Sequence, residues 1–217
     1  MSASSPVSDK RPAGGDTHRA RLLAAALTLL RERAYGNITA RDLVAASGTN
    51  LGSIGYHFGS KEALLNEAIG IALEEWAETI GSTIRGDGAA GLQGLMAGSL
   101  SLVLDEHESI RPYYHAFIEA LARSARSPEL RAQLAAHYNR QRDRVAGWIE
   151  ESLPGALSTA QARHLASLLI GTADGMLIQT FVDAQSTPTS GELASATGAA
   201  FAAARELAAG TGARQPR

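Results

Sequence analysis

Apolar residues recur at three- and four-residue spacing along most of the chain, the period of a helix packed on one face, and no segment makes a convincing strand. From Asp16 the stripe is Leu23, Ala26, Leu27, Leu30 and Ala34, with Arg19, Arg21, Arg31 and Glu32 interleaved, and Gly36-Asn37 stops it. Thr39 opens a short helix with Asp42 as its capping-box partner three residues on, and Gly48 ends it after about two turns. A second short segment runs from Leu51 to Phe58 and breaks at Gly59-Ser60. Ser60 is the N-cap expected for a long helix from Lys61 to Ile84.

Beyond the Gly86-Asp87-Gly88 break the helices lengthen. Leu92, Leu95, Met96, Ser99 and Val103 form one stripe. Ser109 caps the next helix, with Pro112 in its first turn, where a missing amide costs little. Ser127-Pro128-Glu129 opens a helix that runs to Ser152 and closes at Pro154-Gly155. Ser158 and Gln161 form a second capping box, opening a helix to Asp183. Pro188 and Gly191 precede an Ala-rich helix through Leu207, and the tail from Gly210 frays. The prediction is an all-α chain of about nine helices, short ones first and long ones after.

Composition narrows what such a chain does. With 217 residues, 45% hydrophobic and 19% charged, it buries a real core and is no disordered segment. The absence of cysteine excludes a disulfide framework, a thiolate metal site and a cysteine nucleophile. The best apolar run, Leu22 to Leu30, is broken by Thr28 and falls short of the roughly 18 residues of a membrane span. The first fifteen residues lack a signal-type apolar stretch and read as a flexible arm, so the expectation is a soluble cytoplasmic protein without membrane contact. The histidines show no i, i+4 pair, and there is no phosphate-cradling loop and no nucleophile elbow. No catalytic residue, metal or cofactor is expected.

Charge is uneven although the net is only −2. Residues 1–61 carry +4 and the remainder −6, a basic module on an acidic body, which suits a polyanion-binding end or ordinary surface scatter. Within that module, Thr39 to His57 has the spacing of a helix-turn-helix, with Leu43, Val44 and Ile54 where the helices meet and Gly48 at the turn. The second helix is poor in large apolar side chains, so one face is either solvated or turned to a partner, and its small residues would let the backbone approach DNA. Short helix pairs also occur in ordinary bundles, so a helical binding or scaffold protein without DNA activity stays open on this spacing, as does a cofactor-free enzyme.

Ile38-Thr39-Ala40-Arg41-Asp42-Leu43, then Gly48, then Gly55-Tyr56-His57-Phe58-Gly59-Ser60-Lys61-Glu62-Ala63-Leu64-Leu65 resembles the N-terminal domain of TetR-type transcriptional regulators. The resemblance spans about residues 16 to 70. One departure is Gly55, where many members carry a tyrosine ahead of the tyrosine-histidine pair, so operator preference does not transfer. The resemblance implies that Arg41, Thr49, Asn50, Leu51, Gly52 and Ser53 face the major groove, that Tyr56 and His57 touch phosphates or nearby bases, and that Lys61 contacts the backbone. Thr39 reads better as a cap than as a base contact. Lys10 and Arg11 could enter a minor groove or stay in a solvated arm.

It also implies a division into a flexible arm (1–15), a DNA-binding domain (16–62), a helical regulatory and dimerisation domain (63–209) and a tail (210–217). The partners expected are an operator in double-stranded DNA, a small-molecule effector and a second copy of the chain through the last two helices, giving a repressor released by its effector. Small residues Gly171, Thr172, Ala173 and Gly175 suit that close helix packing. Candidates for an effector pocket are Met96, Leu100, Tyr113, His115, Phe117, Glu119, Trp148, Thr172, Asp174 and Met176, in which plain core is the competing reading.

Overall fold

A computed structural model describes residues 14–86, 103–105 and 107–212. Its helices are α1 (Gly14–Glu32), α2 (Ala40–Ser47), α3 (Leu51–Phe58), α4 (Lys61–Gly86), α5 (His107–Ser124), α6 (Pro128–Ser152), α7 (Thr159–Val182) and α8 (Ser190–Gly212). A 3-10 turn, Tyr35–Asn37, joins α1 to α2, and no strand occurs among the described residues. Of the stripe from Leu92 to Val103 only Val103 is among them, and Lys10, Arg11, Met96 and Leu100 lie outside.

The ends follow the side chains that satisfy orphan amides. Thr39 and Asp42 form a reciprocal capping box at α2, and Ser158 and Gln161 form another at α7. The Ser127 hydroxyl accepts from the Leu130 amide at 3.2 Å at the head of α6, and the Ser60 hydroxyl accepts from Ala63 at 3.0 Å at the head of α4. Two expected boundaries move. Helix α5 begins at His107 rather than after Ser109, which puts Pro112 inside the helix. Helix α8 continues to Gly212, past the expected end at Leu207, through Ala208 and Ala209 and on over Gly210 and Thr211.

One apolar core runs through the molecule. It starts with Leu22, Ala26 and Leu30 of α1, takes in Leu43 and Ile54 of the two short helices, and passes along α4 through Leu64, Leu65, Ala68, Ile69 and Leu73. From there it continues into Tyr113, Tyr114 and Phe117 of α5, Ile149 of α6 and Leu177 of α7. Met176 belongs instead to a small satellite cluster with Leu104 and Leu193 of α8. Helix α7 is apolar enough over its 24 residues to cross a membrane by length and composition, against the expectation from uninterrupted runs. Its apolar residues are interspersed with small and weakly polar ones such as Gly171 and Thr172, which break a run but hardly lower an average.

Where α4 meets α6, Gly81 faces the Trp148 indole, and a Cβ at that position would overlap the ring. Gly81→Ala therefore forces Trp148 off its place and should cost about 1–3 kcal/mol in urea unfolding, as overpacking does elsewhere. An unchanged unfolding midpoint would contradict this packing.

Candidate nucleic-acid interface and effector cavity

The short helices are set by local chemistry. Thr39 donates its amide to Asp42 Oδ2 at 2.8 Å and its hydroxyl to the same oxygen at 2.6 Å, and it accepts from the Asp42 amide at 3.2 Å. Those two Thr39 donors, with Arg33 beside them at 3.0 Å, hold the Asp42 carboxyl below the usual carboxylate range. Thr39 is thus a cap, as its sequence context suggests. Gly48 closes α2 at φ 61, a left-handed conformation that glycine adopts freely. A side chain there would also come within 2.7 Å of Arg21 Nη2.

Arg21 explains that crowding. From α1 its Nε donates to the Ser47 carbonyl at 2.7 Å and its Nη2 to the Gly48 carbonyl, so a cation closes the carbonyl end of α2 at the turn. Arg19 pairs with Glu67 of α4 and lies 5.3 Å from the centre of the Phe58 ring. Much of the basic charge counted in the sequence therefore builds the helix-turn-helix from within.

Helix α3 presents two faces. Ile54 is buried in the core, while Leu51, Gly52, Gly55 and Tyr56 are exposed, Tyr56 by 83%. Asn50 is the N-cap, and its Oδ1 accepts from the Ser53 amide at 3.0 Å. A base contact from Asn50 would thus come from its amide nitrogen. Arg41 is exposed on α2, His57 is half-buried, and the Thr49 hydroxyl lies 2.7 Å from that of Ser47.

Two expected contacts sit differently. Ser53 is 8% exposed, and its hydroxyl meets Asn50 Oδ1 at 3.3 Å and His18 Nδ1 at 3.4 Å. It faces α1, beside Ile54 on the buried side of α3. Lys61 Nζ donates to the Ile38 carbonyl at 2.9 Å and pairs with Glu62 at 3.3 Å, tying the head of α4 to the entry of α2.

The candidate pocket residues are separated by the fold. Trp148 and Asp174 line a cavity of about 100 Å³ between α4, α6 and α7. The sequence reading missed others on its walls, including Trp76 and Ile80 of α4 and Arg144 of α6, although Trp76 and Ile80 share the i, i+4 spacing of a buried face. Asp174 accepts from the Tyr114 and Tyr138 hydroxyls, each at 2.8 Å. Burial raises its carboxyl above the usual range although both hydroxyls pull it down, and burial likewise raises the two tyrosines.

Tyr113 points the other way, donating to the Leu27 carbonyl of α1 at 3.2 Å. His115 is exposed with its ring 5.0 Å from that of Phe181, and Glu119 accepts from the Gly36 amide at 3.1 Å. Thr172 donates to the Leu168 carbonyl of its own helix. Phe117 borders a groove of about 540 Å³ between α4 and α6, which reaches His57 and Phe58 of α3.

Residues 22–68 match the family described as bacterial regulatory proteins, tetR family, and residues 96–208 match the BetI-type transcriptional repressor C-terminal family. The second match alone covers more than half of the chain.

The chain belongs to the TetR family.

Among TetR relatives, the HTH-type transcriptional repressor KstR2 of Rhodococcus jostii (strain RHA1) is 31% identical over 104 residues, 46% of this chain. The match spans about half of that relative's length, 50%. A transcriptional regulator structure from Rhodococcus sp. RHA1 shares the fold at TM-score 0.63 and 20% identity, over 84% of this chain and 94% of that one. A regulator from Saccharomonospora viridis, solved in complex with choline, does so at TM-score 0.58 and 21% identity, over 84% and 94%.

On the groove wall, His137 is 5% exposed and its Nδ1 has no hydrogen-bond partner. Glu74 lies 3.5 Å away, with Arg140 and Arg144 around it. Burial holds the imidazole below its usual value, with Arg140 and Arg144 working the same way against Glu74. The native chain thus refuses a proton that the unfolded chain accepts. Its stability is full above the ordinary imidazole range and falls as pH drops through it. The unfolding temperature should decline from pH about 7.5 to 5.5, a window around the free imidazole value, and His137→Leu should flatten that decline. An equal slope in both proteins would remove His137 as the cause.

Proposed function

We propose that this TetR-family chain is a homodimeric, sequence-specific DNA-binding repressor, released from a palindromic operator by a small-molecule effector. The observation that carries the reading is α3: it is anchored on one side by Ile54 and Ser53 and leaves Leu51, Gly52, Gly55 and Tyr56 open on the other. A helix with small residues and an exposed tyrosine on its open face fits a major groove. In this reading residues 16–62 form the reading head and 63–209 the regulatory body. Arg41, Asn50, Leu51, Gly52, Tyr56 and His57 meet the duplex, with Thr49 at the edge. Ser53 and Lys61 position that surface.

Dimerisation is proposed through α7 and α8. Leu168, Ile178 and Val182 of α7 are exposed, Val182 by 82%, and a Cβ added at Gly171 or Gly175 would meet nothing within 4 Å. That open face of small and apolar residues suits a helix from a second copy. In this reading the effector enters the cavity of Trp148 and Asp174, whose apolar walls carry a few fixed polar groups and whose volume of about 100 Å³ limits it to a very small molecule. The choline-bound neighbour supports a small-molecule effector for this fold. A tenfold release needs about 1.4 kcal/mol of coupling, and operator DNA must weaken effector binding by the same factor.

Selection from random duplex DNA should enrich a two-fold symmetric sequence with half-sites about one helical turn or more apart. Failure to enrich any sequence would overturn the reading. Asn50→Ser keeps an oxygen to cap α3 and removes the amide donor, so it should re-rank the selected sites by about 1–3 kcal/mol per lost base contact without loss of fold.

Leu168→Arg tests the dimer separately. It should leave the circular dichroism spectrum intact while light scattering falls from the mass of two chains to that of one. A dimer that survives this charge would place the interface elsewhere.

A further inference from the structure

The turn that enters the helix-turn-helix is wired to the body by polar side chains. Tyr35, fully buried between α1 and α2, donates its hydroxyl to Asn66 Oδ1 of α4 at 3.0 Å. Asn66, 8% exposed, donates its Nδ2 to Gln133 Oε1 of α6 at 3.1 Å. A side-chain amide carries an acceptor at one end and donors at the other, so this one residue joins both partners. The neighbouring Gly36 amide is held by Glu119 of α5, and the Arg123 guanidinium lies 5.3 Å from the centre of the Tyr35 ring.

The same Asn66 and Gln133 stand on the wall of the groove of about 540 Å³ that separates His57 and Phe58 of α3 from α6. At that wall the Asn66–Gln133 hydrogen bond joins α4 to α6. Tyr35 and Asn66 are buried whereas Gln133 is exposed, so breaking the Tyr35–Asn66 bond strands two buried polar groups and breaking the Asn66–Gln133 bond leaves the Asn66 Nδ2 without its protein partner.

We propose that Asn66 is a positioning residue that, through Tyr35 and Gln133, ties the setting of the recognition helix to the position of α6. A shift of α6 then reaches DNA by this relay as well as along α4. The inference rests on the DNA-binding reading above.

The two tryptophans report on the body, since Trp76 of α4 and Trp148 of α6 both line the inner cavity. Reciprocity requires that DNA held by the head be felt there. The experiment saturates the full chain with its selected duplex and reads the change in tryptophan emission, in wild type, Tyr35→Phe, Gln133→Leu and Gln133→Glu. The expected result is a clear change in wild type and in Gln133→Glu, which keeps an acceptor oxygen for Asn66. In Tyr35→Phe and Gln133→Leu the change should be at least halved, although both still bind duplex. No change in wild type, an undiminished change in both relay variants, or a loss shared by Gln133→Glu would overturn the relay.

Failure of wild type to bind any duplex would instead defeat the DNA-binding reading, and the relay is then judged without DNA. Asn66 bonds both Tyr35 and Gln133, so in unfolding experiments Tyr35→Phe and Gln133→Leu should be less than additive. Strict additivity would overturn the coupling.

Discussion

The first three turns of α4 have to satisfy two sets of neighbours at once. Leu64, Leu65 and Ala68 are wholly buried, and Ile69 nearly so, within a core that runs from Leu22 of α1 to Leu177 of α7. α4 packs against α1 and α3 on the reading side and against α5 and α6 on the body side. Because interiors pack as densely as organic crystals, this helix cannot rotate or slide without repacking both sides. Head and body are therefore joined by a rigid element rather than a linker. That continuity is what a regulator needs if events in one part are to be felt in the other.

Charge serves this geometry more than it serves a diffuse attraction for polyanions. Arg21 closes the carbonyl end of α2, Arg19 bridges Phe58 and Glu67, Arg33 supports the Asp42 cap, and Lys61 holds the Ile38 carbonyl. A cation bonded to a carbonyl or a carboxylate inside its own chain has less to offer a phosphate. What remains at the open face is a small set of exposed groups, Arg41 and Tyr56 foremost. In the proposed DNA-binding reading, recognition rests on the shape and placement of α3 more than on net charge.

The body shows a similar economy of polar groups. Asp174 is half-buried among α5, α6 and α7 and is tolerable there because two tyrosine hydroxyls donate to it. Glu74 is an instructive contrast. Burial would raise its carboxyl, but the Arg140 hydrogen bond and charge, with His137 and Arg144, outweigh that and keep it ionised. One half-buried acid is held by neutral donors and the other by cations, and the two carboxyls shift in opposite directions.

Much of this was legible in the sequence because it is local. The capping boxes at Thr39 and Ser158, the caps at Ser60 and Ser127, the left-handed Gly48 and the all-helical order depend on residues within four positions of one another. The segment from Ile38 to Leu65 carried the family resemblance for the same reason. What the sequence left open depends on partners far along the chain. Ser53 and Lys61 look like surface donors until α1 and the Ile38 carbonyl are brought to them. Glu119 looks like a pocket acid until the Gly36 amide, 83 residues away, donates to it. Trp76 joins Trp148 and Asp174 at one cavity only because three helices converge there. Periodicity tells which face of a helix is apolar, but not which other helix it meets, and that choice is made by the packing of the whole core.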